Sequence, residues 1–194
     1  MLKEELDGDR IIVIHDFLSQ AECVELIRSS ESLTWEAGTV GGQVASGVRD
    51  NERVLFDDQA LADDLFRRAR AFLPEMIDDL VLVGFNERWR YYRYGAGQTF
   101  KPHRDGVYHR LEKLEQSRLT FMIYLNDQMT GGQTQFFSGM EEAFRGFPYL
   151  SVRPKEGMAL VFAHRIWHEG AVVESGQKYV LRTDVMYGRP AKVS

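Results

Sequence analysis

Along the chain the apolar positions follow two rhythms. The first eighty residues are dominated by helical spacing, and the rest by short alternating or continuous apolar runs. Residues 11–14 are a β-branched run suited to a buried strand. A helix should start after Ser19, which is a good N-cap, with Glu22 three residues on completing a capping box and Leu26 and Ile27 continuing the apolar side. A second helix should begin near Asp58, where Leu61, Leu65, Ala69 and Phe72 are spaced for one buried face, and should end or bend at Pro74. From residue 82 on, segments 82–94, 119–125, 134–137, 158–162 and 179–187 are rich in aromatic and β-branched residues and are separated by turn-forming Gly, Pro and Asp. The pattern predicts an α+β fold, mainly β: a double-sheet core backed by N-terminal helices.

Length fits this reading. A chain of 194 residues makes one domain, with helical support over about 1–80 and a β core over about 81–190. No repeat, low-complexity tract or linker interrupts it. Charge adds an exclusion: 24 Lys and Arg against 29 Asp and Glu give a net charge of -5, without the basic excess of a nucleic-acid-binding protein. The single cysteine, Cys23, forbids an internal disulfide and any multi-thiolate zinc or iron–sulfur site. The charged start MLKEELDGDR does not resemble a signal peptide, and no apolar run is long enough for a membrane span. A cytoplasmic protein with no membrane or nucleic-acid partner is expected.

The candidate chemistry lies in the histidines. His103 and Asp105 flank Arg104 after a probable strand, and in extended chain residues i and i+2 share a face. His168 follows the apolar strand that ends near Ala163. Two imidazoles and one carboxylate without thiolates form a facial triad suited to non-haem Fe(II), with open positions left for substrates. His164 precedes His168 by four residues, a spacing that joins side chains on a helix, but the sequence there predicts a strand and a turn, so His168 is the better ligand. His109 reads as a loop residue or a substrate contact, and His15 has no evident partner.

The surrounding motifs carry a resemblance. Residues 94–105, Tyr-Gly-Ala-Gly-Gln-Thr-Phe-Lys-Pro-His-Arg-Asp, resemble the Tyr-x-x-Gly-Gln-x-x-x-Pro-His-x-Asp segment of the prolyl 4-hydroxylase-like Fe(II)/2-oxoglutarate-dependent oxygenases. The strand Leu-Thr-Phe-Met-Ile-Tyr-Leu-Asn from Leu119, the Gly-Gly hairpin at Gly131, and the run from Pro154 through Gly157 and Phe162 to His168 are similar to that family's following blocks, in the same order. The resemblance covers about residues 86–187. It implies a double-stranded β-helix, or jelly roll, with the metal at its mouth. It also implies Fe(II), 2-oxoglutarate and O2 as cofactors, with ascorbate as a candidate addition, and succinate and CO2 as coproducts of C–H hydroxylation.

A buried 5-carboxylate of the cosubstrate needs a cation. Lys178, ten residues after His168, has the spacing of the prolyl hydroxylase anchor, and Arg182, fourteen after it, that of the anchor in other branches. Their shared parity lets both face inward. Arg182 is slightly preferred for its bidentate fork, and Lys178 stays beside it. Tyr124 resembles the tyrosine that donates a hydrogen bond to the same carboxylate, and Tyr94 is a second candidate hydroxyl; both also read as core aromatics of a sheet. The glycine-rich loop 38–53 resembles the family's mobile flap, and residues 106–117 are a candidate lid. The substrate is a peptide or protein, with proline as one candidate, or a small molecule. A non-catalytic cupin-like binding protein and a hydrolytic zinc enzyme are the competing readings.

Overall fold

The computed structural model describes residues 1–40, 43–44 and 48–190. Its strands form two principal antiparallel sheets. In the larger, the main path runs Leu2–Glu5, Ile11–His15, Ala159–Ala163, Glu115–Tyr124, Lys178–Gly188, Arg88–Tyr94, Glu52–Asp57 and Glu36–Ala37. The smaller runs Phe100–His103, Trp167–Gly170, Thr134–Phe137 and Leu150–Val152.

Side-chain alternation explains why the large sheet is buried on both faces. Ile12, Ile14, Leu119, Phe121, Ile123, Ala159, Val161 and Leu181 face the helices, where Cys23, Ala62, Leu65 and Ala69 complete one core. Their neighbours Ile11, Val13, Met122, Tyr124, Leu160, Phe162 and Val180 face the small sheet and meet Phe100, Phe136 and Val152 in a second core. A two-residue period thus builds both the helical backing and the jelly-roll interior. Burying one such Leu or Phe contributes about 1.5–3 kcal/mol.

The helices begin where expected. Helix α1 (Gln20–Glu31) is capped by Ser19, whose hydroxyl accepts from the Glu22 N–H at 3.3 Å while the Glu22 carboxylate accepts from the Ser19 N–H at 2.8 Å. Helix α2 (Gln59–Ala69) is capped by Asp58 and gives way to a 3-10 turn, Arg70–Phe72, before Pro74. Its buried stripe is Ala62, Leu65 and Ala69, with Leu61 and Phe72 at the margin of the core.

Several boundaries differ from expectation. The run 82–94 is two strands, Leu80–Phe85 and Arg88–Tyr94, parted at Asn86, whose side chain accepts from the Arg88 N–H. The N-terminal part contributes more than helices: Ile11–His15 pairs with Ala159–Ala163, and Glu52–Asp57 pairs with Arg88–Tyr94. Residues 52–53 of the strand Glu52–Asp57 and the short strands Thr39–Val40 and Gln43–Val44 take up part of the flap expected over 38–53, of which 41–42 and 45–47 lie outside the described residues. The expected lid, 106–117, contains a hairpin: His109–Arg110 pairs with Gln116 and Glu115, and Arg110 bridges to Glu87 and Glu115. A short helix α3 (Met140–Arg145) was not expected, since six residues with one buried position, Ala143, are too few to show a period. Among the described residues, no helix is long and apolar enough to cross a membrane.

Candidate metal centre

His103 and His168 are direct cross-strand partners at the end of the Phe100–His103 and Trp167–Gly170 pairing. Side chains opposite one another in a ladder lie on the same face, so the register itself brings the imidazoles together. Their ring centroids are 4.2 Å apart. Asp105 lies just beyond the strand, tethered by its N–H to the His164 carbonyl at 3.0 Å. The His103 Nε2 is 3.8 Å from Asp105 Oδ1, and the His168 Nε2 is 3.6 Å from Asp105 Oδ2. One ligand atom from each of the three side chains falls within 4.8 Å of the others.

The donor set fits a divalent metal. Each histidine has its Nδ1 against a carbonyl oxygen two residues back, Lys101 at 2.8 Å and Ile166 at 2.9 Å. A carbonyl only accepts, so Nδ1 carries the proton and Nε2 offers its lone pair to the centre. The His103 Nε2 is buried without a hydrogen-bond partner among the described residues. Burial, helped by His168, pushes the His103 imidazole down to about 3, and burial lowers that of His168 as well. Burial alone would raise the Asp105 carboxyl, but Arg182 and the surrounding histidines hold it well below the ordinary range. Two neutral imidazoles and a carboxylate match the ligand set for Fe(II).

The large sheet forms the opposite wall of the cavity. Lys178 pairs in register with Tyr94, Val180 with Tyr92, and Arg182 with Arg90 and Met122. The cavity is lined by His103, His168 and Arg182 at the His-Asp-His cluster and by Tyr94, Thr134 and Lys178. Lys178 is 3% exposed, and its ammonium donates to the Gly132 carbonyl at 2.6 Å and lies 5.3 Å from the centroids of both Tyr94 and Tyr124. No carboxylate pairs with it among the described residues, and burial pushes its pKa down to about 7. Arg182 is in a different position: its Nη2 is 2.8 Å from Asp105 Oδ1 and donates to Thr120 Oγ1 at 3.2 Å.

Tyr124 is fully buried, and its hydroxyl shares a 2.6 Å hydrogen bond with Thr134 Oγ1. Thr134, not singled out from the sequence, lines the cavity where Tyr124 does not. Thr120, also missed, donates to Asp105 Oδ2 at 2.5 Å. Both have the parity of inward-facing residues, which is the signal that could have found them. The other histidines lie outside the triad. His15 Nε2 is 2.7 Å from Glu4 Oε2, a partner the sequence did not suggest, and His109 is exposed in its hairpin. His164 is buried, with Nδ1 3.5 Å from Ser117 Oγ and Nε2 3.8 Å from Asp184 Oδ1.

An antiparallel double-sheet interior with a His-Asp-His cluster at its mouth is the architecture of an iron-dependent oxygenase. Residues 89–183 match the 2OG-Fe(II) oxygenase superfamily. The chain is 29% identical over 196 residues to prolyl 4-hydroxylase 1 of Arabidopsis thaliana, an alignment covering 88% of this chain and 66% of that relative. Among solved structures, the viral collagen prolyl hydroxylase of Paramecium bursaria Chlorella virus-1, in its 2OG complex, superposes with a TM-score of 0.64 at 22% identity, covering 95% of this chain and 99% of that one. A prolyl hydroxylase from Trichoplax adhaerens, bound to a hypoxia inducible factor peptide fragment, gives 0.67 at 16% identity, over 93% and 84%. Residues 89–183 are thus similar to the 2OG-Fe(II) oxygenase superfamily, and the relatives of the chain lie on the prolyl 4-hydroxylase-like branch.

Proposed function

We propose that this chain is an Fe(II)- and 2-oxoglutarate-dependent dioxygenase that hydroxylates a C–H bond in a peptide or protein, with a prolyl residue as the leading candidate. The observation that carries the reading is a cavity with a two-histidine, one-carboxylate cluster at one end and, at the other, a buried lysine that has no carboxylate partner among the described residues. His103, Asp105 and His168 would hold the iron. Iron bound there would supply the oxidising chemistry by which one oxygen atom of O2 enters the substrate and the other enters succinate, with CO2 released from 2-oxoglutarate.

The chain's own residues bind and orient. Lys178 supplies the charge for the 5-carboxylate of 2-oxoglutarate, since a carboxylate arriving there completes a pair that burial otherwise leaves unmade. Arg182, the slightly preferred anchor on grounds of its fork, is already engaged by Asp105, so Lys178 is the better assignment. Thr134, backed by Tyr124, offers a hydroxyl beside it, and Tyr94 flanks its ammonium. Phe136 and Phe162 pack at 6.2 and 4.5 Å from the His168 ring and keep water from that side of the centre. The peptide assignment draws on the relatives, all three of which bear prolyl hydroxylase names and one of which is bound to a peptide.

The test is anaerobic titration with Fe(II) and then 2-oxoglutarate, following the visible charge-transfer band that chelation produces. The band should appear in the wild type, vanish in His103→Ala, and in Lys178→Met require a large excess of 2-oxoglutarate. Metal bound without a band would favour a cupin-like or zinc site instead. Succinate release with proline-containing peptides then tests the substrate class.

A further inference from the structure

Asp105 is held on both of its oxygens by other side chains. Oδ1 takes the Arg182 Nη2 at 2.8 Å and Oδ2 takes the Thr120 hydroxyl at 2.5 Å, while Arg182 Nη2 also reaches Thr120. The guanidinium is itself braced from the far side. Asp184, two residues on and facing the same interior, has Oδ1 3.8 Å from Arg182 Nη2 and Oδ2 3.2 Å from Arg90 Nη1, and Asn86 Nδ2 lies 3.4 Å from Oδ2. The side chains of Asp105 and Asp184 are 6% and 4% exposed and that of Arg182 is 13% exposed, so little water competes for these contacts.

We infer that Arg182 is a positioning residue: it fixes the Asp105 carboxylate in one rotamer, with one lone pair of each oxygen engaged, so that Asp105 acts as a single-point ligand. The inference rests on the metal-centre reading above and deepens it. A carboxylate has four lone-pair directions, and an untethered one can swing to chelate a metal through both oxygens. Chelation of that kind would occupy a coordination position that a cosubstrate needs. A donor on each oxygen opposes the swing, and groups of this kind around metal ligands change metal affinity by about 10–100-fold. The placement along the strand agrees. Lys178 and Arg182 are four residues apart, roughly 13 Å of extended chain, so the two cations serve opposite ends of the cavity and not one carboxylate.

The experiment measures Mn(II) affinity from the free-ion EPR signal, with no turnover involved, on wild type, Arg182→Met, Arg182→Lys and Lys178→Met, each checked for a cooperative melt. Arg182→Met should bind Mn(II) 10–100-fold more weakly, Arg182→Lys should recover part of the loss, and Lys178→Met should bind as wild type does. Calorimetric titration of 2-oxoglutarate into metal-saturated protein should then show the large defect in Lys178→Met. Unchanged Mn(II) affinity in Arg182→Met, with 2-oxoglutarate affinity lost, would make Arg182 the anchor and overturn the inference. If the methionine variant does not fold, the lysine variant decides: a three- to tenfold weaker Mn(II) affinity supports the inference, and an unchanged one overturns it. Wild-type protein that binds no Mn(II) would instead overturn the metal-centre reading, a result distinct from either.

Discussion

Lys178 and Arg182 point into one cavity from one strand, and among the described residues only Arg182 of the two has a carboxylate partner. The ammonium of Lys178 rests on a backbone carbonyl between two aromatic faces. That difference gives a proton-coupled binding step. Burial lowers Lys178 from 10.5 to about 7, and an arriving carboxylate reverses the shift. At pH 8 the free protein should therefore take up close to one proton on binding 2-oxoglutarate, and affinity should fall as pH rises above 7, by up to about tenfold per unit. Titration calorimetry in buffers of different ionisation heat reads the proton directly. Uptake of none at pH 8 would sink the assignment. The same shift makes the ligand-free fold gain stability with pH between about 7 and 10.5, where the unfolded chain holds a proton that the folded one does not, and Lys178→Met should flatten that slope.

Much of this was legible in the chain because the governing signals are local. The aromatic and β-branched content of 119–125 and 158–162 marked them as strands, and the parity of Lys178 and Arg182 let both face inward, as they do. The Ser19–Glu22 capping box fixed the start of α1. What escaped depends on register between distant segments. That Arg182 meets Asp105 follows from the pairing of Lys178–Gly188 with Glu115–Tyr124 and from the tether of Asp105 to His164, neither visible in spacing. The strand Glu52–Asp57 was hidden because its charged composition, Glu-Arg-Val-Leu-Phe-Asp, reads as a loop, and Val54 is its one buried residue.

Glu22 ties the acid stability of the fold to α1. Its carboxylate accepts from the Ser19 backbone and hydroxyl and pairs with Arg68 of α2 at 2.6 Å. The Ser19 backbone bond, opposed by partial burial and assisted by Arg68, lowers its pKa from 4.5 to about 2. A depressed carboxyl stabilises the fold above its unfolded value, so this contribution is whole above about pH 4.5 and is lost as pH falls through 2. Glu22→Gln should lower the melting temperature at pH 7 and reduce its fall between pH 4.5 and 2. An unchanged acid limb would refute the coupling.

Gly157 is required on two grounds. Its φ is +76°, and a Cβ built there would lie 2.1 Å from the Leu18 carbonyl oxygen, which belongs to the turn leading into α1. Gly146, which caps α3 at φ +72°, has open space around the same position. Gly146→Ala should therefore cost only the left-handed penalty, about 1–2 kcal/mol, whereas Gly157→Ala adds a clash between two backbone segments. Urea unfolding should rank Gly157→Ala at least about 1 kcal/mol below Gly146→Ala, and equal costs would show that the Leu18 turn moves aside freely.

Thr134 and Tyr124 offer one hydroxyl to the cavity between them, and the order of the pair predicts unequal variants. Thr134 lines the cavity beside Lys178, while Tyr124 lies behind it with its hydroxyl 2.6 Å from Thr134 Oγ1. Were 2-oxoglutarate bound as proposed, Thr134 would donate to the carboxylate and accept from Tyr124, so that each bond polarises the next. Thr134→Val removes the donor that faces the ligand and leaves the Tyr124 hydroxyl buried without a partner, a loss of about 1–3 kcal/mol in stability. Tyr124→Phe removes only the support behind it. Affinity for 2-oxoglutarate should therefore fall about tenfold in Thr134→Val and about threefold in Tyr124→Phe, consistent with a net hydrogen-bond worth of about 0.5–1.5 kcal/mol. Mn(II) affinity should stay unchanged in both, since neither hydroxyl touches His103, Asp105 or His168. A larger defect in Tyr124→Phe than in Thr134→Val would reverse the order and return the direct contact to Tyr124.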